Sequence, residues 1–146
     1  MGAVVTDTHA AIWYLLEPER LSPQAVAALD GATGAGDPVY MASISLVEVI
    51  YLVEKGRLPQ VALVRLYRTL TQPDSALVIV PLDLAVAQMI QHIPRTVVPD
   101  MPDRIIAATA LYLNLPLISR DRKIQVAEIT TYLVKQLKEP GRGRRS

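Results

Sequence analysis

The sequence predicts an α/β fold, a single-domain three-layer sandwich whose mostly parallel sheet of about four or five strands is flanked by helices. Short apolar runs rich in β-branched residues alternate with longer segments of helical periodicity, a pattern typical of a parallel sheet covered on both faces. The 146 residues are 51% hydrophobic and 20% charged, which is enough to build one sizeable core.

The N-terminal half of the chain is predicted to form two strands and three helices. Each strand is a short apolar run that leads directly into a helix. Ser22 and Pro23 provide a cap and a first turn for the second helix, and Gly56 ends the third. In order, the elements are a strand at residues 3–6, helices through 16 and at 23–32, a strand at 39–42 and a helix at 43–55.

The C-terminal half is predicted to continue this alternation. Ala107, Ala108 and Ala110 are small enough to let the last helix pack closely on a sheet. In order, we expect a helix after residue 59, a strand at 77–80, helices around 86–93 and at 103–113, a strand at 117–119 and an edge strand at 129–132. Residues 1–138 form the predicted domain, and residues 139–146, ending in GRGRRS, form a basic tail predicted to be disordered.

Composition excludes several kinds of site. The chain has no cysteine, and its two histidines are His9 and His92, so a metal would be held mainly by carboxylates and would be a hard, oxygen-preferring cation. The net charge of +1 requires local patches for any phosphate binding. No ATPase, dinucleotide or serine-hydrolase motif is present. Without a membrane-length apolar run or a signal peptide, we expect a cytoplasmic protein.

Four acids are predicted to meet at one edge of the sheet. Asp7 follows the first strand, Glu48 lies early in the helix after the second, Asp103 opens a helix, and Asp121 follows a late strand. Open α/β sheets bind ligands at the carboxyl ends of their strands. Converging carboxylates repel each other unless a cation lies among them, and Mg²⁺ or Mn²⁺ prefers such ligands. The pattern therefore indicates metal-dependent phosphodiester hydrolysis.

A simpler interpretation competes with this hypothesis. Each acid on its own is more often a helix cap than a metal ligand, and Ser45 with Glu48 fits a capping box. Three arginines flank the acids and are candidates for phosphate or RNA contacts, with a solvated surface as the equal alternative. They are Arg104, Arg120 and Arg122.

Four segments carry a resemblance to a known family. They are VVTDTHAAIWYL around Asp7, SISLVEV around Glu48, DMPDRIIAATAL around Asp103 and LISRDRKI around Asp121. Together they span most of the chain, and in this order and spacing the sequence resembles a PIN-domain ribonuclease of the VapC-like toxin family.

The resemblance implies a PIN-like fold and a Mg²⁺-dependent endoribonuclease that is the toxin of a type II toxin–antitoxin pair. It further implies that the four acids bind the metal, that the substrate is RNA, and that the partners are a small antitoxin protein and a second copy in a homodimer. Thr8 and Ser119 match family hydroxyl positions and are expected to orient a ligand or water, whereas Asp100 matches an acid that often precedes the family's third motif and is expected to have a secondary role.

Two other classes of function stay open at the level of sequence. A phosphatase or receiver-like signalling domain would use the same acidic metal site, although Lys123 follows Asp121 too closely for the usual receiver arrangement. A non-catalytic interaction module would use the acids only as caps.

Overall fold

A computed structural model describes residues 2–96 and 100–129 of the chain. Within them, five strands and six α-helices follow the predicted alternation. The strands are β1 (Val4–Thr6), β2 (Val39–Ala42), β3 (Leu77–Val80), β4 (Leu117–Ile118) and β5 (Lys123–Ile124). The helices are α1 (Thr8–Leu16), α2 (Pro23–Gly34), α3 (Ser43–Glu54), α4 (Gln60–Leu70), α5 (Leu84–Met89) and α6 (Met101–Leu113).

The five strands form one sheet in the order β3-β2-β1-β4-β5. Its first four strands are parallel, and β5 pairs antiparallel with β4 at the edge. The mostly parallel α/β prediction is therefore confirmed. Because β1 lies at the centre with β2 and β4 on either side, the three parallel strands end next to one another, and the residues that follow them share one edge.

Helices cover both faces of the sheet and produce two cores, because neighbouring strand residues point to opposite faces. Val4 packs with α1, α2 and α4 on one face, whereas Val5 packs with α5 and α6 on the other. The predicted small residues of α6 are almost fully buried. Helix α3 contacts both α4 and α6, so it bridges the two helical layers. No helix among the described residues is long and apolar enough to cross a membrane.

Local sequence explains where α2 and α6 begin, and the start of α6 differs from the prediction. Ser22 caps α2 as predicted, with its hydroxyl accepting from the Ala25 N–H at 3.1 Å. Helix α6 begins at Met101 and is capped by Asp100, so the prediction that Asp103 opens it is wrong by two residues. Pro102 favours this earlier start because proline has no N–H to satisfy in the first turn.

The edge strand also differs from the prediction. The antiparallel edge is β5, directly after a tight turn from β4, and not a strand beginning at Ile129. Ile129 has helical backbone angles, and residues 130–132 lie outside the described residues, as does the predicted tail. A two-residue strand carries too little periodicity to be found from sequence, since its pairing is set by the turn.

Candidate metal-binding active site

The carboxyl ends of β1 and β4 place two of the predicted acids on neighbouring strands. The Asp7 N–H donates to the Ile118 carbonyl at 3.0 Å, which fixes the residue after β1 beside the end of β4. Helix α3 starts directly after β2 and carries Glu48 one turn in, while α6 presents Asp103 in its first turn. Central strands and the first turns of two helices therefore converge at this edge.

Asp7 is the N-cap of α1. Its Oδ1 accepts from the Ala10 N–H at 2.8 Å, so the cap interpretation is correct for this residue. Burial nevertheless raises the pKa of Asp7 from its ordinary 3.8 to about 7, against the opposing Ala10 hydrogen bond. The negative charges of Glu48 and Asp121 raise this pKa further, whereas Arg120 lowers it. Asp7 is thus both a cap and a member of an acidic group.

Glu48 is held by the buried Thr8 hydroxyl rather than by a capping box. Helix α3 is capped by Ala42 without a side-chain bond, so the predicted Ser45–Glu48 capping box is wrong. Instead, the Thr8 hydroxyl donates to Glu48 Oε1 at 2.5 Å and lies 2.9 Å from Ser45 Oγ. Burial raises the pKa of Glu48, Thr8 lowers it, and the charge of Asp100 raises it. Thr8 therefore orients the Glu48 side chain, its role towards a ligand or water stays a prediction, and Ser45 joins this group through Thr8.

Asp100 and Asp103 form a pair at the start of α6. Asp100 accepts from the Asp103 N–H at 3.4 Å, so Asp100 and not Asp103 is the cap. Loss of water around its carboxylate raises the pKa of Asp103, and the charges of Asp100, Glu48 and Asp7 raise it further. Part of the Asp103 residue is exposed to solvent, so water partly screens these charges.

Asp121 lies in the turn between β4 and β5, which is not a helix start, so the cap interpretation fails for it as well. The buried Ser119 hydroxyl shapes this turn, accepting from the Asp121 and Arg122 N–H groups at 3.3 Å each. Ser119 thus supports the turn that carries Asp121. Of the four predicted acids, one caps a helix and three do not, yet their charges act on one another.

A model of the PIN domain matches residues 4–129, which is nearly all of the described chain. The chain belongs to the PIN-domain family. It is 33% identical over 125 residues to Ribonuclease VapC22 of Mycobacterium tuberculosis, covering 86% of this chain and 92% of that protein. This similarity identifies it as a VapC-like member of the family.

A solved structure has the same fold at lower sequence similarity. It is the crystal structure of VapBC2 from Rickettsia felis bound to a DNA fragment from their promoter, with a TM-score of 0.58 and 17% identity. The match covers 79% of this chain and 85% of that one. The three-layer PIN-like architecture predicted from the sequence is thereby confirmed.

The acidic edge of this PIN domain fits a hard cation by the chemistry of its donors. Burial and the neighbouring negative charges raise the pKa values of Asp7, Glu48 and Asp103, and a divalent cation would relieve both costs. Among residues 2–96 and 100–129, however, no three acidic or histidine side chains already form a ligand cluster. Hard divalent cations such as Mg²⁺ keep several waters and need few direct protein ligands.

The three predicted phosphate-binding arginines have different surroundings. Arg104 donates to the Ile93 and Ile90 carbonyls at 3.0 and 3.1 Å, so its guanidinium binds the segment before α6, and its phosphate role stays a prediction. Arg122 pairs with Glu128 at 3.0 Å, which also opposes a phosphate role. Arg120 is exposed and close enough to Asp7 to lower its pKa. Arg104 and Arg122 thus already bind protein oxygens, and phosphate binding by any of the three arginines stays a prediction.

Proposed function

We propose that this PIN domain is a Mg²⁺-dependent endoribonuclease that hydrolyses RNA phosphodiester bonds, and that it is the toxin of a type II toxin–antitoxin pair. The observation that carries the proposal is the electrostatic coupling of acids from four separate elements. Asp7, Glu48 and Asp103 each have a raised pKa, and Asp100 and Asp121 contribute to those shifts. Caps alone do not require this convergence, which suits a metal-assisted hydrolase.

In this proposal Asp7, Glu48, Asp103 and Asp121 hold the ion, and Mn²⁺ can replace Mg²⁺. The bound ion supplies charge stabilisation and an activated water. Thr8 fixes the orientation of Glu48 by its 2.5 Å hydrogen bond. Ser119 fixes the turn that carries Asp121, and Asp100 holds the start of α6 near Asp103. Each helper residue thus limits the movement of one carboxylate.

The proposed partners follow from family membership. The ribonuclease name of the M. tuberculosis relative supports RNA as the substrate, and the Rickettsia felis VapBC2 structure supports a small antitoxin protein as a binding partner. Exposed apolar side chains on α3 and α4, including Val47, Tyr51 and Val64, are compatible with protein interfaces such as a homodimer. A toxin that acts on RNA would work in the cytoplasm.

The first prediction concerns cleavage. Purified protein with Mg²⁺ should cut a labelled RNA of mixed sequence, and chelation should stop it. Asp7→Asn and Asp103→Asn should each lower the cleavage rate on the order of 100-fold or more, because each removes a charge from the metal site. Asparagine still caps a helix, so α1 should stay intact in Asp7→Asn.

Asp83→Asn is the matched control for these variants. Asp83 caps α5 by accepting from the Val86 N–H at 3.1 Å. Its charge is not among the causes that raise the pKa of Asp7 or Asp103. Cleavage by this variant should equal that of the wild type. Absence of cutting with both Mg²⁺ and Mn²⁺, or full cutting by Asp7→Asn and Asp103→Asn, would contradict the proposal. Calorimetry that detects no metal binding would favour a non-catalytic module instead.

A further inference from the structure

A tryptophan of helix α1 has two arginines against its ring. Trp13, the one tryptophan of the sequence, lies in α1 and is only 6% exposed. The guanidinium carbon of Arg20 lies 4.4 Å from the ring centroid, and that of Arg120 lies 5.3 Å from it. Both distances are within the range of a cation–π contact. The two cations are therefore no more than about 10 Å apart.

The two arginines come from segments that are tied together by the backbone. Arg20 ends a short 3₁₀ helix after α1, and Arg120 lies in the turn between β4 and β5. The Ser22 N–H donates to the Arg120 carbonyl at 2.9 Å, which joins the two segments. The Ser119 hydroxyl holds the turn from the other side. The pair of guanidiniums is thus positioned by ordered structure rather than by two independent surface side chains.

Neither guanidinium has a strong anionic partner in the described part of the chain. Arg20 pairs with Glu17 at 3.3 Å, but the two side chains are 54% and 52% exposed, and such a pair contributes little. For the Arg120 guanidinium the described residues provide no hydrogen bond or ion pair, only the Trp13 ring and the nearby charge of Asp7. Two cations held beside one ring repel each other, and an anion bound to either or both would relieve that repulsion.

We propose that Arg20 and Arg120, held on Trp13, form a phosphate-binding shelf that takes the RNA backbone next to the acidic edge. The shelf rests on the proposed function, since it extends the same site. Arginine binds phosphate through two parallel hydrogen bonds, and stacking on an aromatic ring fixes the guanidinium plane in advance. Arg120 adjoins Asp121 in sequence and acts on Asp7, so a strand that lies on the shelf continues to the acids.

The shelf explains how a protein with a net charge of only +1 would hold a polyanion beside a group of carboxylates. The acids repel RNA wherever their charge is not neutralised, and the two arginines supply local attraction at their margin. The shelf contacts phosphates and carries no hydrogen-bond code for bases, so it positions RNA of any sequence.

The experiment measures RNA affinity without cleavage. The Asp103→Asn protein is titrated with a single-stranded RNA oligonucleotide in Mg²⁺ at several salt concentrations, with Trp13 fluorescence as the signal. In this Asp103→Asn background, a second substitution, Arg20→Gln or Arg120→Gln, should weaken RNA binding about 5- to 10-fold. It should also lower the steepness of log affinity against log salt by about 0.7 for each phosphate that is no longer bound. Arg120→Lys should keep the slope but bind less tightly than the parent, because lysine keeps the charge without the planar fork.

Arg68→Gln is the control, because Arg68 is exposed on α4 and its substitution removes the same charge elsewhere. It should leave affinity and salt slope unchanged within about 2-fold, and thermal melts should confirm that all variants fold. Unchanged affinity and slope in both shelf variants, or an equal loss in Arg68→Gln, would overturn the shelf. Cleavage by the wild-type protein is measured in parallel. If the wild type cleaves RNA but the shelf variants bind RNA as tightly as their parent, the shelf alone is rejected. If RNA binding depends on the arginines but the wild type does not cleave RNA, the nuclease alone is rejected.

Discussion

Asp7 is subject to two effects that act on its charge in opposite directions. As the N-cap of α1 it is stabilised as an anion by the Ala10 N–H and by the positive end of the helix dipole. Burial and the charges of Glu48 and Asp121 disfavour the anion, and these effects dominate, since the pKa is raised to about 7. Without a metal, Asp7 is therefore partly protonated at neutral pH.

This raised pKa predicts how stability depends on pH. Between the unfolded value of 3.8 and about 7, folded Asp7 holds its proton more often than unfolded Asp7, so the free energy of unfolding falls as pH rises through this window. Metal-free protein should be more stable at pH 5 than at pH 8. Asp7→Asn should raise stability at pH 8 by about 2 kcal/mol and flatten the profile. Urea denaturation in chelator measures both, and a wild-type profile that rises towards pH 8 would contradict it.

Thr8 gives a second prediction for a single residue. Its hydroxyl is the only described hydrogen-bond donor to Glu48, so Thr8→Val should leave that carboxylate free to turn away. We expect metal affinity, measured by calorimetry, to fall about 10-fold, as is usual when a ligand loses its supporting hydrogen bond. Thr8→Ser keeps the hydroxyl and should retain most of the affinity. Equal metal binding by the valine and serine variants would show that the hydrogen bond does not matter.

Among the elements of the fold, the β4–β5 turn carries a residue of each proposed site, Asp121 of the metal site and Arg120 of the shelf. Ser119→Ala removes the hydroxyl that accepts two N–H groups of this turn, which should cost about 1 kcal/mol. Ser75→Ala is a matched control, because Ser75 bonds the backbone of Leu77 at the start of β3. Both variants should lose similar stability in urea, but only Ser119→Ala should weaken RNA binding. If the two variants bound RNA equally well, the conformation of the β4–β5 turn would not matter for RNA binding.

The elements differ in how far the sequence could predict them. Strands β2 and β3 were predicted to the residue, because each is an apolar run bounded by prolines, glycines or polar residues. The start of α6 was misplaced because Asp100 and Asp103 are both good caps, and only Pro102 favours the earlier one. Strand β5 was missed because two residues carry no pattern.

For the whole molecule, the acids were predictable and the arginine pair was not. Strand ends of a parallel sheet meet at one edge by topology, so acids placed after β1 and β4 must be neighbours. The contacts of Arg20 and Arg120 with Trp13 depend on how two loops pack, and no local pattern records that packing. The same limit applies to Ser45, whose hydrogen bond to Thr8 joins residues 37 positions apart.

The proposed site also links metal binding to the stability of the whole domain. Metal and proton compete for Asp7, Glu48 and Asp103, so Mg²⁺ should bind more tightly at pH 8 than at pH 5. At 100 times the dissociation constant, Mg²⁺ should raise the free energy of unfolding by about 2.7 kcal/mol. Thermal melts in Mg²⁺ and in chelator, at both pH values, measure the effect. Asp83→Asn should respond as the wild type does, and Asp7→Asn combined with Asp103→Asn should not respond. A response of equal size at both pH values would mean that Mg²⁺ acts at a site other than these acids.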